Sequence, residues 1–164
     1  MAIEIERKFL VADDGWREAA SDTGEHYQQG YLAFTEHAVI RVRLADDGRA
    51  WIGVKEHRIG ISRGEYEYAI PTADARELLA LAQGTPIEKR RYRVPYSGHV
   101  WEVDEFLGAN AGLVVAEIEL KTVDASFEHP PWLGREVTAE RRYYNAALAL
   151  EPWRNWDERE GNLA

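Results

Sequence analysis

The stretch Glu4-Ile5-Glu6-Arg7-Lys8 lies near the start of the sequence and sets a pattern that the rest of the chain repeats. In a β-strand, side chains point alternately to the two faces, so Glu4, Glu6 and Lys8 share one face. Glu4 and Glu6 would then lie about 6–7 Å apart. Two bare carboxylates at that separation repel each other by about 2–3 kcal/mol at an effective dielectric constant of about 20. A cation, a basic side chain or bulk water must therefore offset their repulsion.

Eight runs of the sequence share this period of two, which is typical of half-buried β-strands. Short turn-forming stretches, such as Asp46-Asp47-Gly48 and Ser97-Gly98, lie between several of them. Parallel crossovers need about a dozen residues or more, so such short connections favour antiparallel hairpins. The sequence therefore predicts a mainly β fold (α+β) in which an antiparallel sheet curls or closes. The runs are Ile3–Leu10, Tyr27–Phe34, Val39–Leu44, Trp51–Lys55, Arg63–Ile70, Ile87–Val94, Val100–Phe106 and Leu113–Thr122.

Helical periodicity is confined to a few segments. Thr72–Gln83 carries leucines at helical spacing, and Gly84 follows its end. Ala139–Leu150 has a similar pattern, a short helix is possible around Asp14–Ala20, and Trp153–Glu160 is a further candidate. A chain of 164 residues suits one domain or at most two small ones. We therefore expect a few helices at the periphery of the sheet.

The composition excludes several classes of protein and site. The chain has 20 Lys and Arg against 29 Asp and Glu, a formal net charge of −9, which argues weakly against binding of duplex DNA. It contains no cysteine, which excludes disulfides, thiolate metal sites and a cysteine nucleophile. No apolar run approaches the roughly 18 residues of a membrane span, and the acidic amino terminus does not resemble a secretory signal. We expect a cytoplasmic protein with no nucleic-acid partner and no membrane segment.

The charges of the predicted strands are segregated by sign. Acidic pairs lie on the first, seventh and eighth strands, whereas basic side chains lie on the third, fourth and sixth. The alternative, an antiparallel sandwich with one charged face in water, would mix the signs. An eight-stranded barrel has room inside for side chains or one small ligand, so such walls could hold a divalent cation against the acids and a polyanion against the bases. The rows that share a face are Glu4 and Glu6, Arg41 and Arg43, Lys55 alone, Arg63 with Glu65 and Glu67, Lys89 with Arg91, Glu102 with Asp104, and Glu117 with Glu119.

The basic rows match an inorganic triphosphate in charge. A linear triphosphate carries about −4 to −5 at neutral pH, and Arg41, Arg43, Lys55, Lys89 and Arg91 supply five positive charges. Carboxylate oxygens suit Mg²⁺ or Mn²⁺, which would bridge the acids to phosphate oxygens. The residues therefore indicate metal-assisted chemistry on a small polyphosphate. They leave open whether a terminal or an internal bond is broken.

The ordered series of charged pairs resembles the CYTH superfamily, also called the triphosphate tunnel metalloenzymes. The ExExK signature of that family is matched by the stretch from Glu4 to Lys8, although five residues alone make a weak pattern. The resemblance implies a closed eight-stranded antiparallel β-barrel, a tunnel, over residues 1–150, and we expect residues 151–164 to form a helical tail of the same domain. The other matching segments are Gln29-Gly30-Tyr31-Leu32, Arg41-Val42-Arg43, Lys55, Glu65-Tyr66-Glu67, Lys89-Arg90-Arg91, Asp104, Glu117-Ile118-Glu119, Gly134-Arg135-Glu136-Val137-Thr138 and Arg142-Tyr143.

The resemblance also implies roles for the matching positions. Lys8 and Glu6 would be catalytic, with Lys8 positioning or activating the attacking water. Glu65 and Glu67 would orient the bases or contribute to metal affinity. The phosphate-binding residues that it implies are Arg41, Arg43, Lys55, Lys89 and Arg91. The metal-binding set that it implies for Mg²⁺ or Mn²⁺ is Glu4, Glu6 and Glu119, with Asp104 and Glu117 beside them.

Several activities are compatible with this family. The EIERKFLV start and the GREVT segment are similar to the bacterial inorganic triphosphatase branch, which implies hydrolysis of tripolyphosphate to pyrophosphate and phosphate. Class IV adenylate cyclase activity, from ATP to cyclic AMP and pyrophosphate, and thiamine triphosphate hydrolysis are also compatible. A non-catalytic polyphosphate-binding module is the alternative of another class, and the intact Lys8 with the full acidic set argues against it. The expected partner is a small-molecule triphosphate, and the expected assembly is a monomer or a homodimer.

Overall fold

The computed structural model describes residues 3–58 and 61–156. Its strands are β1 Ile3–Val11, β2 Glu25–Phe34, β3 Ala38–Ala45, β4 Ala50–Glu56, β5 Ser62–Ala69, β6 Gln83–Tyr96, β7 His99–Leu107, β8 Val114–Glu119 and β9 Leu133–Glu136. Its α-helices are α1 Trp16–Ala19, α2 Thr72–Leu79 and α3 Asn145–Leu150, and short 3₁₀ helices span Gly108–Asn110, Arg141–Tyr143 and Trp153–Asn155. Among these residues, no helix is both long and apolar enough to cross a membrane.

Eight antiparallel strands close into a barrel, which confirms the predicted fold class. Around the ring the order is β1-β5-β4-β3-β2-β6-β7-β8, and β8 returns to β1. One edge of β1 pairs with β8. Its other edge pairs with β5 at Ile3–Ile5 and with β9 at Phe9 and Val11. The ninth strand therefore pairs with the part of this β1 edge that β5 does not cover.

Two apolar clusters cover the outside of the barrel. One includes Trp16 of α1 and Trp101 of β7, both fully buried. The other includes Val42 of β3 and Ala75 of α2, which packs on β2, β3 and β4. Each large apolar side chain that is fully buried contributes about 1.5–3 kcal/mol, which helps to offset the cost of the charges inside. The charged face of these strands is thus the interior of a barrel and not the wet face of a sandwich.

Apolar side chains close one end of the interior. They come from inward-facing positions of several strands and from the carboxyl-terminal segment that follows β9. Because α3 and the 3₁₀ helix at Trp153–Asn155 supply part of this cluster, the chain up to Trp156 packs as a cap on the barrel. The cluster includes Leu10, Tyr31, Val39, Ile87, Phe106 and Val115 from the strands, and Tyr143, Leu148, Ala149, Trp153 and Trp156 from the cap.

The two longer predicted helices are shorter in the structure. The helix expected over residues 72–83 ends at Leu79, because Gln83 already pairs with Tyr31 in the sheet. The helix expected over residues 139–150 is divided at Tyr144, whose backbone is extended and whose hydroxyl donates a hydrogen bond to the Thr138 carbonyl. Strand pairing with a distant segment shortens the first helix, and a local tyrosine hydrogen bond accompanies the break in the second, so both override the helical pattern.

The short elements also differ from the prediction. The first helix is limited to Trp16–Ala19. The helix expected from Trp153 is a short 3₁₀ helix that ends at Asn155. The part of the tail prediction that concerns residues 157–164 lies outside the described residues. Strand β9 was not predicted, because four residues are too few to give a period-two signal.

Replacing Gly84 by alanine tests the docking of the cap. Gly84 has a φ of +72°, and a Cβ there would lie 2.4 Å from the Ala149 carbonyl oxygen of α3. Gly98 is a matched control, since its φ is +83° and a Cβ there would meet no atom within 4 Å. We expect Gly84→Ala to lower the free energy of unfolding by about 2 kcal/mol more than Gly98→Ala. Equal losses in urea unfolding of the two variants would show that α3 does not pack closely on β6.

Candidate active site

A cavity of about 190 Å³ lies inside the barrel. Every predicted site residue lines it except Glu67 and Asp104. The lining residues that the sequence predicted are Glu4, Glu6, Lys8, Arg41, Arg43, Lys55, Glu65, Lys89, Arg91, Glu117 and Glu119. The strand register explains this convergence, since residues opposite each other on paired strands share a face.

One wall of the cavity is acidic. Glu4 and Glu6 lie on β1, and Glu119 lies on β8 directly opposite Glu6. Burial raises the pKa of Glu119, and the nearby carboxylates of Glu4 and Glu102 raise it further. The acids therefore repel one another, as their spacing in the sequence predicts.

Lys55 of β4 lies at the edge of the acidic wall and offsets this repulsion. Its Nζ lies 3.0 Å from Glu4 Oε2, 3.6 Å from Glu65 Oε2 and 3.8 Å from Glu6 Oε1. Burial lowers the pKa of Lys55, but attraction to Glu6 and Glu4 outweighs burial and raises it above its ordinary value. Lys55 is thus charged and stands at the boundary between the acidic and the basic side chains.

The acidic residues supply the type of ligand that a divalent cation binds, although their carboxylates do not converge on one point. In residues 3–58 and 61–156, no three acidic or histidine side chains are grouped closely enough to hold an ion. Glu4 Oε2 and Glu65 Oε2 are buried, and the Lys55 ammonium lies 3.0 Å and 3.6 Å from them. Such carboxylate oxygens are the ligands that Mg²⁺ and Mn²⁺ prefer. The residues therefore fit a hard divalent cation.

The opposite wall is basic and is held together by Asp104. The Asp104 carboxylate is almost fully buried and accepts hydrogen bonds from Lys89 Nζ at 2.8 Å and from Arg91 Nε at 2.8 Å and Nη2 at 2.9 Å. Burial would raise the pKa of Asp104, but Arg91 and Lys89 hold it well below its usual range. Burial and the neighbouring guanidiniums of Arg91 and Arg43 lower the pKa of Lys89, against the pull of Asp104.

Two further arginines on β3 complete this wall. Arg41 Nη2 lies 3.5 Å from Glu67 Oε2 and 3.8 Å from Glu65 Oε1. Arg43 has a neutral partner, because its Nε donates to Gln29 Oε1 at 2.7 Å. Burial, Arg41 and Arg91 lower the pKa of Arg43 to about 10. The wall therefore concentrates positive charge that an anionic ligand would neutralise.

Lys8 lies on β1, directly opposite Glu117 of β8. Its Nζ is 3.3 Å from Glu117 Oε1 and 5.3 Å from the centre of the Tyr144 ring. The Arg63 guanidinium contacts the same ring at 5.1 Å. The Lys8 side chain is 8% exposed, so its ammonium group faces the cavity and not bulk water.

The family of the chain follows from its match to known proteins. A model of the CYTH domain matches residues 2–148. The chain belongs to the CYTH family. It is 46% identical over 159 residues to an inorganic triphosphatase of Acetivibrio thermocellus, covering 96% of this chain and all of that protein. It is 39% identical over 153 residues to an inorganic triphosphatase of Nitrosomonas europaea, covering 90% of this chain and 97% of that protein.

The fold of this CYTH protein is also similar to a solved structure. The crystal structure of the inorganic triphosphatase NE1496 matches with a TM-score of 0.63 and 35% identity, covering 90% of this chain and 97% of that one. The resemblance inferred from the charged strand pairs is thereby confirmed.

Sequence reasoning assigned no role to part of the CYTH cavity. Arg63 and Glu102 line it; the period-two pattern placed both in the charged rows, but neither was named as a site residue. Thr138, Tyr144 and Asn145 also line it but come from the cap. The cap has no alternating pattern, and its position depends on long-range packing.

Proposed function

We propose that this protein hydrolyses inorganic tripolyphosphate to pyrophosphate and phosphate. The observation that carries this proposal is that an acidic wall and a basic wall line the same cavity. The two CYTH relatives named inorganic triphosphatase support it, since each is matched over nine-tenths or more of its length. In the reaction, a water oxygen attacks a terminal phosphorus, the bridging P–O bond breaks, and pyrophosphate leaves.

The basic wall binds the phosphates in this proposal. Arg41, Arg43, Lys89 and Arg91 supply the charge, and Lys55 supplies one more at the border of the acidic wall. Positive groups that the fold holds in place stabilise the charge of the transferred phosphoryl group without reorganising during the reaction. Glu65 and Glu67 orient Arg41, because both carboxylates lie within 4 Å of its guanidinium.

The acidic wall is proposed to hold Mg²⁺ or Mn²⁺ through Glu4, Glu6 and Glu119. A divalent cation bound there would neutralise charge on phosphate oxygens. We assign a different role to the two acids expected beside that set. Glu117 fixes the Lys8 ammonium, and Asp104 fixes Lys89 and Arg91 with both of its oxygens.

Lys8 is proposed to position the attacking water. Its ammonium group is held by Glu117 and faces the cavity. An ammonium group has donors and no acceptor, so it can orient a water oxygen or a phosphate oxygen but cannot remove a proton while it is charged. Lys8 therefore contributes orientation and charge in this proposal, and not base catalysis.

A substrate panel tests the proposed function. Phosphate release is measured with tripolyphosphate, ATP and thiamine triphosphate, each with Mg²⁺, with Mn²⁺ and with excess chelator, and nucleotide products are separated by chromatography. We expect the fastest release from tripolyphosphate, only when a divalent cation is present. Cyclic AMP formation would identify a cyclase instead. Tight binding of tripolyphosphate without release under any of these conditions would identify a binding module.

A further inference from the structure

The Asn145 side chain joins two cations of the basic wall. Asn145 is the first residue of α3 and lines the cavity. Its Oδ1 accepts a hydrogen bond from Lys89 Nζ at 3.0 Å and another from Gln29 Nε2 at 3.2 Å. The other end of the buried Gln29 amide accepts from Arg43 Nε at 2.7 Å. A chain of hydrogen bonds therefore runs from β6 through the cap and β2 to β3.

The two cations dictate the orientation of both amides. A lysine ammonium and an arginine guanidinium only donate hydrogen bonds, so each must meet an oxygen. Lys89 fixes Oδ1 of Asn145 in its position, and Arg43 fixes Oε1 of Gln29. The remaining contact then pairs the Gln29 NH₂ group with Asn145 Oδ1, which is the donor and acceptor match that is observed. We call Lys89, Asn145, Gln29 and Arg43 the amide relay.

The amide relay places cations without cancelling their charge. Arg43, Lys89 and Arg91 together carry three positive charges. Asp104, which contacts Lys89 and Arg91, neutralises one of them. A second carboxylate at position 145 would make the same hydrogen bonds but would remove another unit of charge from the wall. A neutral acceptor keeps that charge available for an anionic ligand.

The relay also ties this wall to the cap. Asn145 begins a helix whose Leu148 and Ala149 are buried in the apolar cluster at the closed end of the barrel. The position of Oδ1 is therefore set by apolar packing and not by a flexible loop. Neither Lys89 nor Gln29 has more than about one-hundredth of its surface exposed, so water does not readily replace Asn145 as their partner.

We propose that Asn145 is a positioning residue, which orients Lys89 directly and Arg43 through Gln29 for binding of a linear polyphosphate. The identity of the ligand rests on the proposed function, whereas the relay itself rests on the contacts above. Asn145 acts on the ligand through these cations.

Titration calorimetry with tripolyphosphate, paired with thermal unfolding, tests this proposal on the full chain. We expect Asn145→Ala to weaken binding on the order of tenfold, because hydrogen bonds to charged groups are lost. The Gln29→Ala/Asn145→Ala double variant should have the same affinity for tripolyphosphate as the single variant that binds it less tightly, since either change breaks the relay. Asn155→Ala, an exposed position of the same cap, is the matched control and should bind like the unchanged protein.

Asn145→Asp separates positioning from a merely structural role. It keeps both hydrogen bonds and adds a negative charge beside Lys89, so its melting temperature should not fall, yet its affinity for tripolyphosphate should fall on the order of tenfold or more. Affinity that follows melting temperature across all variants would overturn the proposal, as would unchanged affinity of Asn145→Ala. Failure of the unchanged protein to bind tripolyphosphate would instead overturn the proposed function, and this proposal with it.

Discussion

Replacing Glu6 by glutamine should reduce the turnover of tripolyphosphate by at least about two orders of magnitude. Glu6 lies opposite Glu119 across the β1–β8 pair and 3.8 Å from Lys55 Nζ, in the middle of the acidic wall. The amide keeps the shape of the side chain but removes the charge that a divalent cation requires. Melting temperature should stay the same or rise, because one member of a repelling group becomes neutral.

The control for this variant is Glu88→Gln. Glu88 lies on β6 but outside the cavity, where its partially exposed carboxylate contacts His26. The same change of glutamate to glutamine there should leave phosphate release unaltered. Steady-state rates measured over a range of Mg²⁺ and Mn²⁺ concentrations check both variants. Full turnover by Glu6→Gln would remove the acidic wall from the proposed mechanism.

Replacing Asp104 by asparagine should lower the free energy of unfolding by about 3–5 kcal/mol. The change leaves the buried charges of Lys89 and Arg91 without their shared partner, and their side chains are 1% and 10% exposed. Urea unfolding at neutral pH measures the loss. Glu105→Gln is the control, because Glu105 pairs with Arg17 on the outside of the same strand, where such pairs contribute about 0–1 kcal/mol.

The stabilisation by Asp104 should also depend on pH in a defined direction. Because its pKa is lower in the folded protein than in the unfolded chain, its contribution is complete above the ordinary pKa of aspartate and is lost as the pH falls through the lower, folded value. Tripolyphosphate should raise the melting temperature of Asp104→Asn more than that of the unchanged protein, since it supplies the missing negative charge. An Asp104→Asn protein as stable as Glu105→Gln would contradict this role.

The barrel and most of the cavity could be predicted from the sequence because both depend on a local pattern. Alternation places Glu4, Glu6 and Lys8 on one face whatever the rest of the chain does. Closure of the barrel then turns these same-face rows toward one another. The segregation of acidic and basic strands is what separated this arrangement from a sandwich with its charges in water.

The pairing of charges inside the barrel could not be predicted, because it depends on strand order. Lys55 was assigned to the basic wall, yet it contacts Glu4 and Glu65, since β4 lies next to β5 and β5 next to β1. Asp104 was expected beside the acids proposed to bind metal, but β7 pairs with β6 and brings it to Lys89 and Arg91. The cap was hidden for a related reason, because hydrophobic packing from distant strands determines where Asn145 lies.

A crystal structure of the protein with tripolyphosphate and Mn²⁺ would show whether both walls act on one ligand, because the anomalous signal of manganese locates the metal independently of the phosphates. We expect manganese against Glu4, Glu6 and Glu119 and phosphate oxygens against Arg41, Arg43, Lys89 and Arg91, all within the same cavity. Phosphate bound on the outer surface of the barrel, or manganese bound away from the β1 acids, would contradict this expectation.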